Sequence, residues 1–171
     1  MVLILVKIIV DEMLGNIVRW LRILGIDTFA ASDLRKNPSE DIDTDILFFA
    51  MEKNRVLITS DHELAERARK LGITVIRIEN RTKDTCRALR YILKQLNMLD
   101  YSKKTLMSRC PICNGTLKKV DKDQVKDKVP EAVYQNKEEF WICKNCGKIY
   151  WVGSHFKNIK KVLECVFSEE K

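Results

Sequence analysis

Leu3-Ile4-Leu5-Val6-Lys7-Ile8-Ile9-Val10-Asp11 is a nearly unbroken apolar run that ends on an acid. A run this rich in Val and Ile reads as a strand covered on both faces. Met13, Leu14, Ile17, Val18, Leu21 and Leu24 then recur at helical spacing, with Arg19 and Arg22 off that stripe. Gly25 closes the helix and residues 26–30 resume extended chain. The same punctuation returns at Leu71-Gly72-Ile73, between a helix over 62–70 and a strand over 74–78. A helix that closes on Leu-Gly-Ile and feeds a strand is the rhythm of βαβ units with left-handed glycine caps. Residues 55–59 read as another strand, and 40–53 and 83–97 as helices. The expectation for residues 1–101 is an α/β domain, a parallel sheet with helices on both faces.

The second half has a different grammar. Residues 98–108 are polar, lack periodicity and read as a linker. Cys110-Pro111-Ile112-Cys113 and Cys143-Lys144-Asn145-Cys146 are two pairs of thiolates, each able to grip one metal ion, and together they complete an all-sulfur tetrahedron. Gly147 after the second pair permits a tight turn beneath the metal. The expectation for residues 102–171 is a zinc ribbon with structural Zn²⁺, a charged surface loop over 121–128, and a terminal helix. That helix carries Ile159, Val162, Leu163 and Val166 on one face, to be packed on the ribbon or the sheet.

Bulk properties narrow the function. The 171 residues are 46% hydrophobic and 32% charged, which suits a globular protein and excludes a disordered one. The opening run is too short to span a bilayer and lacks the basic start and cleavage site of a signal peptide. A cytoplasmic location, without membrane contact, is expected. Thiols stay reduced there, so the cysteine pairs favour metal, and Cys86 and Cys165, at apolar positions of helical patterns, read as buried packing. The formal charge of +7 is uneven: residues 1–101 hold 16 Lys/Arg against 15 Asp/Glu, and residues 102–171 hold 15 against 9. The ribbon half is the basic half, and a nucleic acid is its natural partner.

Ligands of open α/β sheets bind beyond the carboxyl ends of the strands. Asp11 sits there after the first strand, and Asp61 after the strand over 55–59. Two such carboxylates can hold Mg²⁺ or Mn²⁺, hard cations that prefer oxygen. Each acid also has a structural explanation: Asp11 and Asp61 can cap the helices that follow, and Ser60-Asp61-His62-Glu63 fits a capping box. Glu40, Asp41, Asp43 and Asp45 crowd the head of the next helix, and spacing selects none of the four.

The combination resembles the PIN-domain nucleases, which gather three or four carboxylates around Mg²⁺ or Mn²⁺ to hydrolyse RNA. More closely, Asp11-x-Met13-Leu14-Gly15, Arg19-Trp20-Leu21-Arg22, Leu24-Gly25 and Asp27-Thr28 resemble the opening of the Mut-seven C-terminal RNase family, which joins a PIN-like domain to a zinc ribbon. Arg109-Cys110-Pro111-x-Cys113-Asn114-Gly115, Val129-Pro130, Glu139-Phe140 and Cys143 are similar to that family's ribbon half. So are Cys146-Gly147-Lys148-Ile149-Tyr150-Trp151 and Gly153-Ser154-His155.

The resemblance implies a metal-dependent ribonuclease. Asp11, Asp45 and Asp61 would hold the catalytic metal, and Glu63 falls where some PIN domains place a fourth acid. Arg19, Arg22, Trp151 and His155 are candidate RNA contacts, as are Arg87, Arg90 and Lys94 on one helix face. A non-enzymatic RNA-binding adaptor is the competing class. A phosphoacceptor receiver also places an acid pair after its first strand, but it needs a lysine where Ile78-Glu79-Asn80 stands.

Overall fold

The computed structural model describes residues 6–36, 41–79, 84–153 and 156–168. Leu3 to Leu5, Glu40, Ser154 and His155 lie outside the described residues. The first part is built from β1 (Lys7–Val10), α1 (Gly15–Ile23), β2 (Asp27–Ala30), α2 (Ile42–Glu52), β3 (Val56–Thr59), α3 (His62–Lys70), β4 (Val75–Arg77) and α4 (Thr85–Gln95). All four strands are parallel in the order β2-β1-β3-β4. Alternation along β1 shows why its run had to be apolar on both sides. Ile8 and Val10 face a layer built from α1 and α4, and Ile9 faces α2 and α3.

The two Leu-Gly-Ile signals are Schellman caps. Ile26 N–H bonds the Leu21 carbonyl at 3.0 Å and Gly25 N–H the Arg22 carbonyl at 2.9 Å. Ile73 and Gly72 repeat the pattern on Ala68 and Arg69, each at 3.0 Å. Gly25 has a second constraint besides its φ of +84°: a Cβ there would stand 2.4 Å from the Thr105 carbonyl oxygen. Thr105 follows α5 (Leu99–Lys104), a short helix where a linker is expected. Met98 and Ser102 are buried, and Met107 N–H bonds the Ile23 carbonyl at 2.8 Å, so this stretch is packed onto α1. Its few apolar residues serve a tertiary contact and leave no periodicity to read.

The second part is an antiparallel sheet of β5 (Leu117–Val120), β6 (Phe140–Cys143) and β7 (Ile149–Trp151), with α6 (Glu131–Asn136) between β5 and β6. The charged stretch over 121–128 is a loop with one turn of 3-10 helix, and it drops a fully buried Val125 inward. The terminal helix α7 (Phe156–Phe167) returns to the α/β domain. Leu163 and Val166 join the α1–α4 core, with Ile159 and Val162 packed against it. Arg90 holds its end, donating from Nε to the Val166 carbonyl at 3.1 Å and from Nη2 to the carbonyls of Ser168, at 2.8 Å, and Cys165. These are carbonyls a helix end leaves unsatisfied, so Arg90 has a structural task in place of a phosphate contact.

Cys86 and Cys165 differ from the expectation of two separate buried thiols. They form a disulfide between α4 and α7 across 79 residues, and Cys165 is exposed. Apolar helix positions look alike whether a cysteine fills a core or meets another cysteine.

Candidate metal centres

The strand order reverses direction between β1 and β3, and the crevice at their carboxyl ends is where a doubly wound sheet binds its ligand. Asp11 and Asp61 flank it. Asp11 N–H continues the ladder to the Ile58 carbonyl at 2.9 Å, which pins the residue beside β3. Its side chain does not cap the helical turn that follows, although it stands at the cap position. Instead Oδ2 accepts from Thr59 Oγ1 at 2.8 Å, in a site that leaves Asp11 only 7% exposed. The same Thr59 Oγ1 accepts from Asp61 N–H at 2.9 Å. One hydroxyl thus ties the two strand ends together.

Asp61, not Ser60, is the cap of α3, with Oδ1 accepting from Leu64 N–H at 2.8 Å. Glu63 and His62 are exposed in the first turn of the same helix. A cavity of about 370 Å³ opens at the ends of β1 and β2, lined by Asp11, Glu12, Gly15 and Ser32 among others.

At the head of α2 the cap is Asp41, whose side chain accepts from Thr44 N–H at 3.2 Å. Ile46, Leu47 and Ala50 form its buried face. Asp43 precedes these by three, four and seven residues and lies on the same face. Asp45, itself half-buried, aligns instead with the exposed Phe48 and Glu52 and the half-buried Phe49. Electrostatics agree. Burial raises the Asp43 carboxyl above the usual carboxylate range, and the Arg67 guanidinium opposes it. The negative charges of Asp41, Asp61 and Asp11 raise it further. Asp43 thus senses the charges of Asp11 and Asp61, whereas the family resemblance points to Asp45. The register of Ile46, Leu47 and Ala50 is the sequence signal that points to Asp43.

Arg67 bridges α3 to this corner. Nη1 lies 3.4 Å from Asp43 Oδ2, and Nη2 donates to Thr44 Oγ1 at 2.9 Å. These oxygens suit Mg²⁺ or Mn²⁺ in kind, but each carboxylate rests on a partner of its own. Among the described residues, no set of three acids brings its ligand atoms within 4.8 Å of one another.

The thiolates do converge. Cys110, Cys113, Cys143 and Cys146 place all four sulfurs within 4.8 Å, with Cys110–Cys146 at 3.8 Å and Cys113–Cys143 at 3.4 Å. Sulfurs about 2.3 Å from a tetrahedral Zn²⁺ stand about 3.8 Å apart, so the site fits that ion. Each knuckle closes by the same bond, Asn114 N–H to the Cys110 carbonyl at 2.9 Å and Gly147 N–H to the Cys143 carbonyl at 3.0 Å. Both closing residues have positive φ, +65° and +71°.

Burial acts to raise the Cys113 thiol, but the Gly115 N–H and neighbouring side chains pull it down to about 6. At Cys146 the Lys148 N–H lowers the thiol, while burial and the other three sulfurs push it up to about 12. Metal binding at such a site releases thiol protons, so its affinity depends on pH. Tyr150 sets its hydroxyl 2.9 Å from Cys110 Sγ. Burial and that bond push its phenol above the ordinary value. Trp151 remains partly exposed.

The ribbon is joined to the sheet along the β2 edge. Asn114 clasps that edge: Oδ1 accepts from Thr28 N–H at 3.1 Å, and Nδ2 donates to the Asp27 side chain at 2.9 Å. Asp27 also accepts from Arg55 at 2.8 Å and faces Arg109 at 3.7 Å. Burial works to raise the Asp27 carboxyl. Hydrogen bonds from Arg55 and Asn114, with the charges of Arg55 and Arg109, outweigh it and hold the group below its ordinary value.

Arg22 corrects an expectation. It is 4% exposed and donates to the carbonyls of Thr28 at 2.9 Å and Ile112 at 2.6 Å, with Pro111 at 3.3 Å. It reaches between the first two cysteines from inside the α/β domain and is not available to RNA. Burial lowers its pKa, against the charges of Asp33, Cys110, Cys113 and Asp27. Arg19 is exposed, as an RNA contact requires.

An α/β sheet with carboxylates at its switch point, sealed edge-on to a four-cysteine ribbon, defines the class of this protein. The chain belongs to the Mut7-C RNAse domain family, whose model matches residues 6–163 and so spans both parts. Membership implies RNase activity, with RNA as the substrate. Neither a curated protein nor a solved structure matches the chain. Among the described residues no helix is long and apolar enough to cross a membrane.

Proposed function

We propose that the chain hydrolyses RNA phosphodiester bonds at the carboxyl ends of β1 and β3, through a Mg²⁺ or Mn²⁺ site. Asp11 and Asp61 are its principal ligands, Asp43 is the helix acid in place of Asp45, and Glu63 is a peripheral fourth. The observation that carries this reading is the Thr59 hydroxyl, which donates to the Asp11 carboxylate and accepts from the Asp61 backbone N–H, while the Asp11 side chain does no capping. A buried carboxylate at a switch point that caps no helix, with one oxygen held by a neighbouring hydroxyl, suits a ligand site. A divalent cation bound there supplies a water of lowered pKa and offsets charge on the phosphate.

The chain's own groups set the geometry. Thr59 engages one oxygen of Asp11, and Leu64 N–H engages one oxygen of Asp61, so each carboxylate is oriented with its other oxygen uncommitted among the described residues. Arg67 places Asp43 at the same corner. The ribbon half, with 15 Lys/Arg against 9 Asp/Glu, gives RNA an electrostatic hold away from the acids. Trp151 offers a partly exposed ring for a base.

The adaptor reading draws on one observation, that the acids rest on internal partners and do not close into a compact cluster. Zinc-loaded protein incubated with end-labelled single-stranded and hairpin RNA separates the two. Cleavage that needs added Mn²⁺ or Mg²⁺ and is absent from Asp11→Asn is expected. Folded protein that binds RNA and cuts none with either metal would make it an adaptor.

A further inference from the structure

The two edges of the parallel sheet have different surroundings. β2 is sealed by Asn114 and Arg22, whereas among the described residues no strand pairs with the outer side of β4. The Thr74 carbonyl accepts from Leu57 N–H at 2.9 Å, and Ile78 N–H donates to the Thr59 carbonyl at 2.9 Å. Strand alternation then turns the N–H and C=O of Val75 and Arg77 outward. Beside this edge, between Arg69 of α3 and the Arg87–Tyr91 face of α4, lies a cavity of about 800 Å³. Its cations are Arg69, Arg77 and Arg87. Tyr91 stands one turn beyond Arg87 and is 46% exposed. Ile78, Glu79 and Ala88 also line a second cavity, which reaches Met13 and Asn16 beside the Asp11 turn.

We propose that this trough binds single-stranded RNA and leads it to the acids at the carboxyl ends of β1 and β3. Phosphates would lie on the three guanidinium groups and the outward N–H groups, with a base stacked on Tyr91. The inference rests on RNA being the substrate. Guanidinium forks and free backbone N–H groups are the usual receptors of phosphate oxygens, and stacking on an aromatic ring needs no particular base.

Against its three guanidinium groups the lining carries two acids, Glu79, which is exposed, and Asp84. Asp84 is occupied in capping α4, bonding Cys86 N–H at 2.9 Å. Arg87 and Arg69 pair with Asp84 and Glu66, each three residues away on an exposed helix surface. Such pairs are weak and yield to a phosphate. Arg77 has no ion-pair partner among the described residues. A peptide strand added to this edge would find only three residues to pair with, one of them Arg77.

The test reads binding and not cleavage. Zinc-loaded Asp11→Asn protein is titrated against fluorescein-labelled oligouridylate, with anisotropy as the signal, over a series of KCl concentrations. Adding Arg77→Gln and Arg87→Gln is expected to weaken binding about tenfold or more. The slope of log affinity against log salt should fall by about 1.4, at roughly 0.7 for each phosphate that is no longer neutralised. Tyr91→Ala is expected to cost about tenfold with the slope unchanged, and it tests the trough even where the double variant fails to fold. Crosslinks from 4-thiouridine RNA should map to the Arg77 and Tyr91 peptides.

Affinity and slope that stay at their starting values, or crosslinks confined to the ribbon, would overturn the proposal and leave the open edge to a peptide strand. Because cleavage is not read, an inactive wild type would leave a positive binding result standing. Unchanged binding here would leave the cleavage reading standing.

Discussion

The thiolate cluster and the proposed carboxylate site differ in how they are assembled. The four sulfurs come from two knuckles that each close on themselves, so local backbone bonds preset each pair before the ribbon sheet brings the two pairs together. The carboxylates come from the ends of β1 and β3 and the head of α2, and only the sheet topology brings them near one another. Each carboxylate is then steadied by a different neighbour: Thr59, Leu64 N–H or Arg67. A site built from knuckles is specified by spacing. A site built from strand ends is specified by fold, and its members are harder to tell from helix caps.

Removing zinc, or Cys143→Ser, is the harshest way to break this comparison. Metal binding at such sites is worth roughly 10–16 kcal/mol, and much of that is folding energy. Loss of the ribbon sheet, read by circular dichroism and zinc content, is expected, with the parallel sheet kept. Unchanged ribbon signals in the metal-free protein would contradict a structural zinc.

The carboxylate side is sharpened by setting Asp43→Asn against Asp45→Asn. The first should lower kcat by about 10²-fold or more, as loss of a charge near the reacting phosphate does, and the second should stay within about threefold. The reverse order would return the helix position to Asp45.

The joints between the two parts come next. Opening the Cys86–Cys165 bridge with Cys86→Ser should cost about 2–4 kcal/mol, read as a lower denaturation midpoint with RNA cleavage retained at low temperature. Asp27→Asn should cost about 1–2 kcal/mol at neutral pH, since it weakens buried charge-assisted bonds. The pH dependence has a definite sign. The folded pKa of Asp27 lies below its unfolded value of about 3.9, so its contribution is complete above that value and lost as the pH falls through the folded pKa. The stability difference between wild type and Asp27→Asn should therefore narrow below about pH 4. A difference that grows on acidification would contradict the assignment.

Much of the molecule is legible in its residues, and the failures share a cause. The Leu-Gly-Ile signals mark real Schellman caps, and the apolar run before Asp11 marks a central strand, because both depend on neighbours in the chain. Asp11 and Asp61 are legible by position at strand ends. Arg22 reads as an exposed cation because it stands off the apolar stripe of α1, yet its partners lie about ninety residues away in the first knuckle. Cys86 and Cys165 mislead for the same reason, a pairing across 79 residues that no local pattern records. Asp43, the helix acid proposed for the site, is hidden among four acids, and the helix register against Ile46, Leu47 and Ala50 is what sets it apart from Asp45.

Asp61→Asn tests the carboxylate site most directly, because Asn caps a helix about as well as Asp but is a poor ligand for a hard cation. Thermal midpoint and Mn²⁺-dependent RNA cleavage are measured on the same zinc-loaded protein. The midpoint is expected to stay within a few degrees of wild type while cleavage falls by about 10²-fold or more. Cleavage retained at the wild-type rate would show that Asp61 serves only as a cap, and that the crevice between β1 and β3 is not where RNA is cut.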